Sequence, residues 1–386
     1  MKKHILLLTS AILTTVVFFT ACQDFGNTDI GNVATLNLPD EAFDYQSLEF
    51  PEHISVTSNK DLFFDDVIAP NPTITNDGAT LGRVLFYDPQ LSINNSVACA
   101  SCHHQSRAFA DGLQGSVGFG GEVTPRNSMA IVNPSINNNL FWDSRVQSLP
   151  DLILQPIQNH VEMGMEDLDI LVKKLSATDY YPELFRKAYG TSDVTTHGIA
   201  NAMAQFLGSM KSVNSKFDQG IANNFENFTA LENMGMTIFN STNAQCSSCH
   251  AGGNFSAPDG PNDPYGGGGS NGGSSRQGTT NIGLDLSTVD EGRGNGNFRI
   301  PTLRNISMTA PYMHDGRFGS LEDVVEHYNS GVNAHPALDD KFKNSDGSPR
   351  RLGLTSIEKE ALVAFLHTLT DESFMEDEKF SDPFSK

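Results

Sequence analysis

Two short stretches decide how this chain folds: Cys99-Ala-Ser-Cys102-His103 and Cys246-Ser-Ser-Cys249-His250. Both have the pattern Cys-x-x-Cys-His. Two thiols at this spacing add across the two vinyl groups of one haem, and the adjoining histidine comes to lie under the iron as its proximal ligand. One such stretch is also compatible with half a zinc site or a redox dithiol. Two copies, with every remaining cysteine accounted for, point to two covalently attached haem c groups. His104, beside His103, is read as a bystander.

The chain contains 5 cysteines. The fifth, Cys22, follows an apolar run from Ile5 to Phe19 that opens on Lys2 and Lys3 and closes on Thr20-Ala21. A basic start, an apolar core and small residues before a cleavage point make a secretion signal, too short to span a bilayer comfortably. Cys22 stands where a bacterial lipoprotein takes its lipid, although Phe19 departs from the usual leucine there. The expectation is a signal peptide over 1–21 and a lipoprotein anchored through Cys22, on the periplasmic side or on the outer membrane. The plain alternative is an ordinary signal followed by a stray thiol, a liability in an oxidising compartment.

The formal net charge is −21. No basic stripe offers a footprint for nucleic acid. An acidic surface favours solubility and a basic or weakly charged partner. The length allows two packed domains. Residues 22–50 read as a flexible tether, 51–225 as an N-terminal haem domain, 226–372 as a C-terminal haem domain and 373–386 as an acidic tail. The expected fold class is mainly α, with two cytochrome c-like haem domains and long loops, since strand patterns are scarce. Helical stretches are expected at 147–157, 166–189, 198–213 and 231–239. In the third, Ile199, Met203, Phe206, Leu207 and Met210 recur on one face. Ser320 to Asp323 and Thr355 to Glu358 have the form of capping boxes that open two further helices. Residues 251–280, rich in Gly, Ser and Asn, read as a surface loop. Their GGGG run is no phosphate cradle, because no Lys-Ser/Thr follows.

Around these sites lie LGRVLFYDPQLS (81–92), CASCHHQSRAFADG (99–112), PRN (125–127), LFWDSRVQSL (140–149) and PIQNHVEMG (156–164). The second half adds FRIPTLRNISMTAPYMHDGRF (298–318) and LEDVVEHYNSG (321–331). In this order they resemble the bacterial dihaem cytochrome c peroxidases and the MauG-like proteins, over about residues 60–370. The resemblance implies that peroxide reacts at the N-terminal haem, with His103 as proximal ligand. The C-terminal haem, on His250, then receives electrons from a donor. It further implies that Trp142 lies between the haems, that Glu162 is the distal-pocket glutamate, and that Asn127, Thr309 and Pro311 hold one calcium ion. It also implies a small c-type cytochrome or cupredoxin as donor, and a homodimer.

Trp142 is the sole tryptophan, and packing is the ordinary use of a lone tryptophan. An aromatic ring between two redox groups is the sharper reading. Glu162 sits among Val161, Met163 and Gly164, and a carboxyl in apolar company suits proton transfer during peroxide cleavage. Arg126 and Arg145 read as ion-pair partners.

Two positions depart from the peroxidase pattern. Where those enzymes carry a distal histidine on the first haem, this chain has Phe119, and no histidine occurs between His104 and His160. The first haem is therefore expected to be open without reductive activation. At the second haem the peroxidases use methionine, whereas the matching residue here is Tyr328, as in MauG-like members. Its rivals are Met308 and Met313, with His314 and His327 behind them. The expected function is reduction of hydrogen peroxide to water as a cytochrome c peroxidase. One alternative is a MauG-like oxidase of a protein or small molecule, and another is a non-enzymatic dihaem electron carrier.

Overall fold

The computed structural model describes residues 35–54, 72–137, 139–257 and 278–385. Cys22 and most of the glycine-rich 251–280 loop lie outside these residues. Among the described residues no helix is long and apolar enough to cross a membrane.

Helix α1 (Asn76–Tyr87) is capped by Thr75, whose side chain accepts the Gly78 amide. It packs along α5 (Thr196–Ser209), with α2 (Leu149–Gln158), α3 (Leu168–Ser176) and α4 (Tyr181–Tyr189) around them. A short helix, α6 (Lys216–Ile221), then leads into α7 (Ala230–Phe239). In the second half α7 packs on α9 (Ser356–His367), flanked by α8 (Leu321–Glu326). The Thr355 capping box is present: its side chain accepts the Glu358 amide, and Glu358 reaches back to the Thr355 amide. At Ser320 the side chain caps the Asp323 amide in the same sense. The last α-helix among the described residues is α10 (Glu372–Glu376).

The two halves use the same device to bring their central helices together. A Cβ on Gly82 would lie 2.0 Å from the Ala202 carbonyl oxygen, and one on Gly235 would lie 1.9 Å from that of Ala361. Only glycine allows backbones this close. Two apolar cores result. One gathers Leu85, Phe86, Phe109, Ile157, Tyr181 and Phe206, and the other Phe239, Phe255, Leu321, Leu362 and Phe365.

Two expectations need correction. The described part of the 22–50 tether is folded: Tyr45 is buried in the first core, and its hydroxyl donates to the Lys379 carbonyl at 2.8 Å. Nor is 373–386 a free acidic tail. Phe374 and Phe380 are buried in that same core, and the buried Arg83 donates to the Ser381 carbonyl at 2.6 Å. Strand β1 (Thr35–Leu36) pairs antiparallel with β4 (Phe384–Ser385), the last of four short strands among the described residues. Burying these aromatic rings stabilises the packed state by about 2–3 kcal/mol each, which outweighs the charged residues between them. The middle strands β2 (Thr279–Thr280) and β3 (Phe298–Arg299) pair beside the second core.

Candidate haem sites and the residues between them

Each Cys-x-x-Cys-His forms a single 3₁₀ turn, Cys99–Ser101 and Cys246–Ser248. This tight turn sets both thiols on one side of the backbone. None of the four cysteines is in a disulfide. Burial pushes the unattached thiols of Cys99 and Cys246 up to about 12, and that of Cys102 to about 11.

The histidines are oriented alike. Nδ1 of His103 lies 2.7 Å from the Phe109 carbonyl oxygen. Nδ1 of His250 lies 3.2 Å from the carbonyl oxygens of both Phe255 and Pro301. A carbonyl only accepts, so Nδ1 carries the proton and Nε2 is left with a lone pair for a metal. Burial also disfavours the charged form, holding His250 down to about 4 and lowering His103. Both rings are fixed in the neutral tautomer that ligates iron. The donor sets fit two haem groups.

The second site opens on a cavity of about 250 Å³. Its mostly apolar wall includes Cys246, Cys249, His250, Tyr328, Phe342 and Leu362. Tyr328 arrives there because α8 runs into a wider π-type turn, His327–Gly331, which rotates the ring inward. It stacks on Phe342 with ring centroids 5.8 Å apart, and no hydrogen bond ties down its hydroxyl among the described residues. Burial and the neighbouring Cys249 and Cys246 push the phenol pKa upward. Of its rivals, Met313 and His314 line the same cavity. Met308 is 36% exposed and stands outside that wall. His327 Nε2 donates to the Ile282 carbonyl at 3.1 Å.

Trp142 belongs to the first half of the chain yet lines the second cavity. Its indole N–H donates to the Asn127 carbonyl at 2.9 Å, and its own carbonyl accepts the Arg299 amide at 2.7 Å. The next residue, Ser128, donates to the Cys102 carbonyl at 2.8 Å. A few covalent and hydrogen bonds therefore join the indole to the first attachment turn. Around this seam Arg126 pairs with Asp143 and Asp290, both at 2.7 Å, so the arginine bridges the halves. Asn127, Thr309 and Pro311 share the cavity wall. The Asn127 carbonyl already serves Trp142, and Thr309 Oγ1 donates to the Ile306 carbonyl.

Glu162 lies at the first site, close enough to Cys99 and Cys102 for its charge to raise both thiol pKa values. Burial pushes its own pKa up, and Arg145 opposes this weakly. Asn159, the C-cap residue of α2, sets its position. The Asn159 amide donates to Glu162 Oε1 at 3.1 Å, while Asn159 Oδ1 accepts the Val161 amide at 2.8 Å. The sequence reading missed Asn159, although an asparagine just past a helix and three residues before a carboxylate is a recognisable side-chain turn. Phe119 is tied to the backbone of this residue, its amide bonded to the Glu162 carbonyl at 3.0 Å, with its ring against Gly164.

The sequence model described as "Di-haem cytochrome c peroxidase" matches residues 76–226. The methylamine utilization protein MauG of Methylorubrum extorquens is 33% identical over 313 residues, which cover 78% of this chain and 80% of that protein. The cytochrome c551 peroxidase of Nitrosomonas europaea is 32% identical over 301 residues, covering 77% and 80%. Among solved structures, a MauG-like protein associated with microbial copper homeostasis superposes with a TM-score of 0.69 at 30% identity, covering 83% of this chain and 99% of that one. With two haem attachment turns built alike and this likeness along most of its length, the chain belongs to the bacterial dihaem cytochrome c peroxidase and MauG-like family.

Proposed function

We propose that the protein is a dihaem peroxidase that reduces hydrogen peroxide to water with electrons from a small c-type cytochrome or cupredoxin. Bound haem supplies the iron that exchanges electrons with peroxide and with the donor. The chain's own residues do the rest. His103 and His250 would each hold one iron through Nε2. Trp142 bridges the seam between the sites. Glu162 takes a proton from the oxygen of peroxide nearer the iron and returns it to the departing one, a transfer worth about 10²–10⁴-fold in rate. The observation that supports this reading is the half-buried Glu162 carboxyl near Cys99 and Cys102, with Phe119 rather than a histidine tied to the Glu162 backbone.

The test is rapid mixing of the fully oxidised holoprotein with peroxide, without donor, while the haem spectrum is followed. A fast response followed by donor oxidation supports the proposal. A response only after half-reduction would mean that another side chain closes the first site.

A second reading, a MauG-like oxidase of a protein or organic molecule, is favoured by Tyr328 in the second cavity. A protein substrate that co-purifies and is altered by peroxide only in the presence of this chain would establish it. Export to the periplasm side, a lipid anchor at Cys22, a homodimer and one calcium ion at Asn127, Thr309 and Pro311 complete the proposal. Support for the calcium ion is the grouping of these three residues on one wall.

A further inference from the structure

Tyr181 has no part in the reaction described so far, yet it is completely buried in the same apolar core that Cys99 packs against. A buried phenol needs a hydrogen-bond partner. Tyr181 donates to Asp88 Oδ2 at 2.8 Å, and Tyr180 donates to the same oxygen at 2.7 Å. The two rings are 4.7 Å apart, centre to centre. Asp88 is 2% exposed, and Gln90 supplies its other bonds, from its amide N–H to Oδ1 at 2.8 Å and from its side chain to Oδ2 at 3.1 Å. Gln90 Nε2 also lies 2.7 Å from the Tyr180 hydroxyl. Unlike Tyr181, Tyr180 is only half-buried.

A carboxylate out of water is costly unless fully bonded, so one phenol and the Gln90 donors would meet the structural need. Two phenols sharing one oxygen do more. They place a proton acceptor against two rings that can each lose an electron, one inside the first core and one reaching solvent. Burial pushes both phenol pKa values upward, so neither ring is oxidised readily unless its proton leaves at the same time. Asp88 Oδ2 is where that proton goes.

We propose that Tyr181, Tyr180 and Asp88 form a one-electron relay by which oxidising equivalents at the first haem site reach the surface at Tyr180, to be met there by a small electron-rich phenol. The inference rests on the peroxidase reading, since peroxide is the oxidant. In each step the Tyr181 O–H bond breaks, its proton passes to Asp88 Oδ2 and its electron goes to the first site. Tyr180 then returns an electron to Tyr181 while Asp88 Oδ2 hands the proton back to it and takes the Tyr180 proton in its place. The external phenol restores Tyr180 by giving up one electron, its own proton passing to solvent as Asp88 returns the one it holds. Two such turnovers supply the two electrons that reduce one peroxide, and the two protons released to solvent match the two taken up at the first site as two waters form.

The experiment uses oxidised holoprotein, peroxide and guaiacol as the phenol, with freeze-quench electron paramagnetic resonance. Wild type is expected to give a tyrosyl signal that narrows when the protein carries ring-deuterated tyrosine, and to oxidise guaiacol. Tyr181→Phe should lose both while its haem spectrum still responds to peroxide and it still oxidises a reduced c-type cytochrome. Tyr180→Phe should keep the radical and lose guaiacol oxidation. Asp88→Asn should lose both, and if it fails to fold, the two phenylalanine variants decide. An unchanged signal or unchanged guaiacol oxidation in Tyr181→Phe overturns the relay and leaves the peroxidase intact. A wild-type haem spectrum indifferent to peroxide overturns both.

Discussion

The backbone amide of Phe119 donates to the carbonyl oxygen of Glu162 at 3.0 Å, so the loop that lacks a histidine is fastened to the residue proposed to move the proton. The fastening is tight. A Cβ on Gly118 would lie 1.6 Å from the Val161 carbonyl oxygen, and Gly164 leaves the space that the Phe119 ring fills.

Phe119→His should therefore restore a gate. The imidazole would start from the same fixed backbone, and the oxidised variant is expected to react with peroxide much more slowly than wild type, recovering once half-reduced. Stopped-flow traces at both oxidation levels decide this, and equal rates in the oxidised variant and wild type would refute it.

Glu162→Gln is expected to lower peroxide turnover by about 10²–10⁴-fold. Burial raises the Glu162 pKa, so the carboxylate that must take up the proton is lost as pH falls through a value above the ordinary glutamate range. The acidic limb of the wild-type rate profile should sit correspondingly high and disappear in the variant. The stability effect has the opposite sense. A carboxyl whose folded pKa is raised favours the fold below its unfolded pKa and loses that benefit as pH rises through the folded value, so Glu162→Gln should be no less stable than wild type at neutral pH.

Tyr328→Phe keeps the ring that stacks on Phe342 and removes only the hydroxyl. If that hydroxyl ligates the second iron, the optical spectrum of the second haem changes and its reduction potential rises, because an anionic oxygen ligand favours the oxidised metal. A spectrum and potential identical to wild type would make Tyr328 a packing residue.

Asp218 offers a test of the joint between the halves. Burial acts to raise its pKa, but two bonds from Arg304, with Ser215 and His53, hold it down to about 2. The stabilisation is present above the unfolded pKa and is lost as pH falls from 3.8 through about 2. Asp218→Asn leaves the 1% exposed Arg304 side chain without its carboxylate, at a cost of about 3–5 kcal/mol. Chemical denaturation of the holoprotein at neutral pH measures it, and a variant as stable as wild type would show the pair to be dispensable.

The sequence disclosed the chemistry wherever a few adjacent residues carry it. The two attachment turns are contiguous, and so are the helix caps at Ser320 and Thr355. Trp142 and Glu162 were singled out through the motifs around them, and they lie on the second cavity wall and near Cys99 and Cys102 respectively. What the sequence hid was long-range or lacked contrast. Pro301, which helps to fix His250, lies far along the chain from it. Helix α1 was not expected because Gly78, Leu81, Gly82, Leu85 and Phe86 bury it on nearly every side, so no polar stripe reveals the period. At 373–386 acidic residues masked Phe374 and Phe380, whose spacing is the signal that would have revealed a packed segment.

That packed segment governs the order in which the molecule can be made. The first core takes Tyr45 from near one end of the chain and Phe374 and Phe380 from near the other, while the second core is drawn from Phe228 to Leu369 in between. Domains usually fold in the order they leave the ribosome. Here the later half can close first, and the earlier half, including the first haem attachment turn, waits for its lid until residues 372–385 have been synthesised.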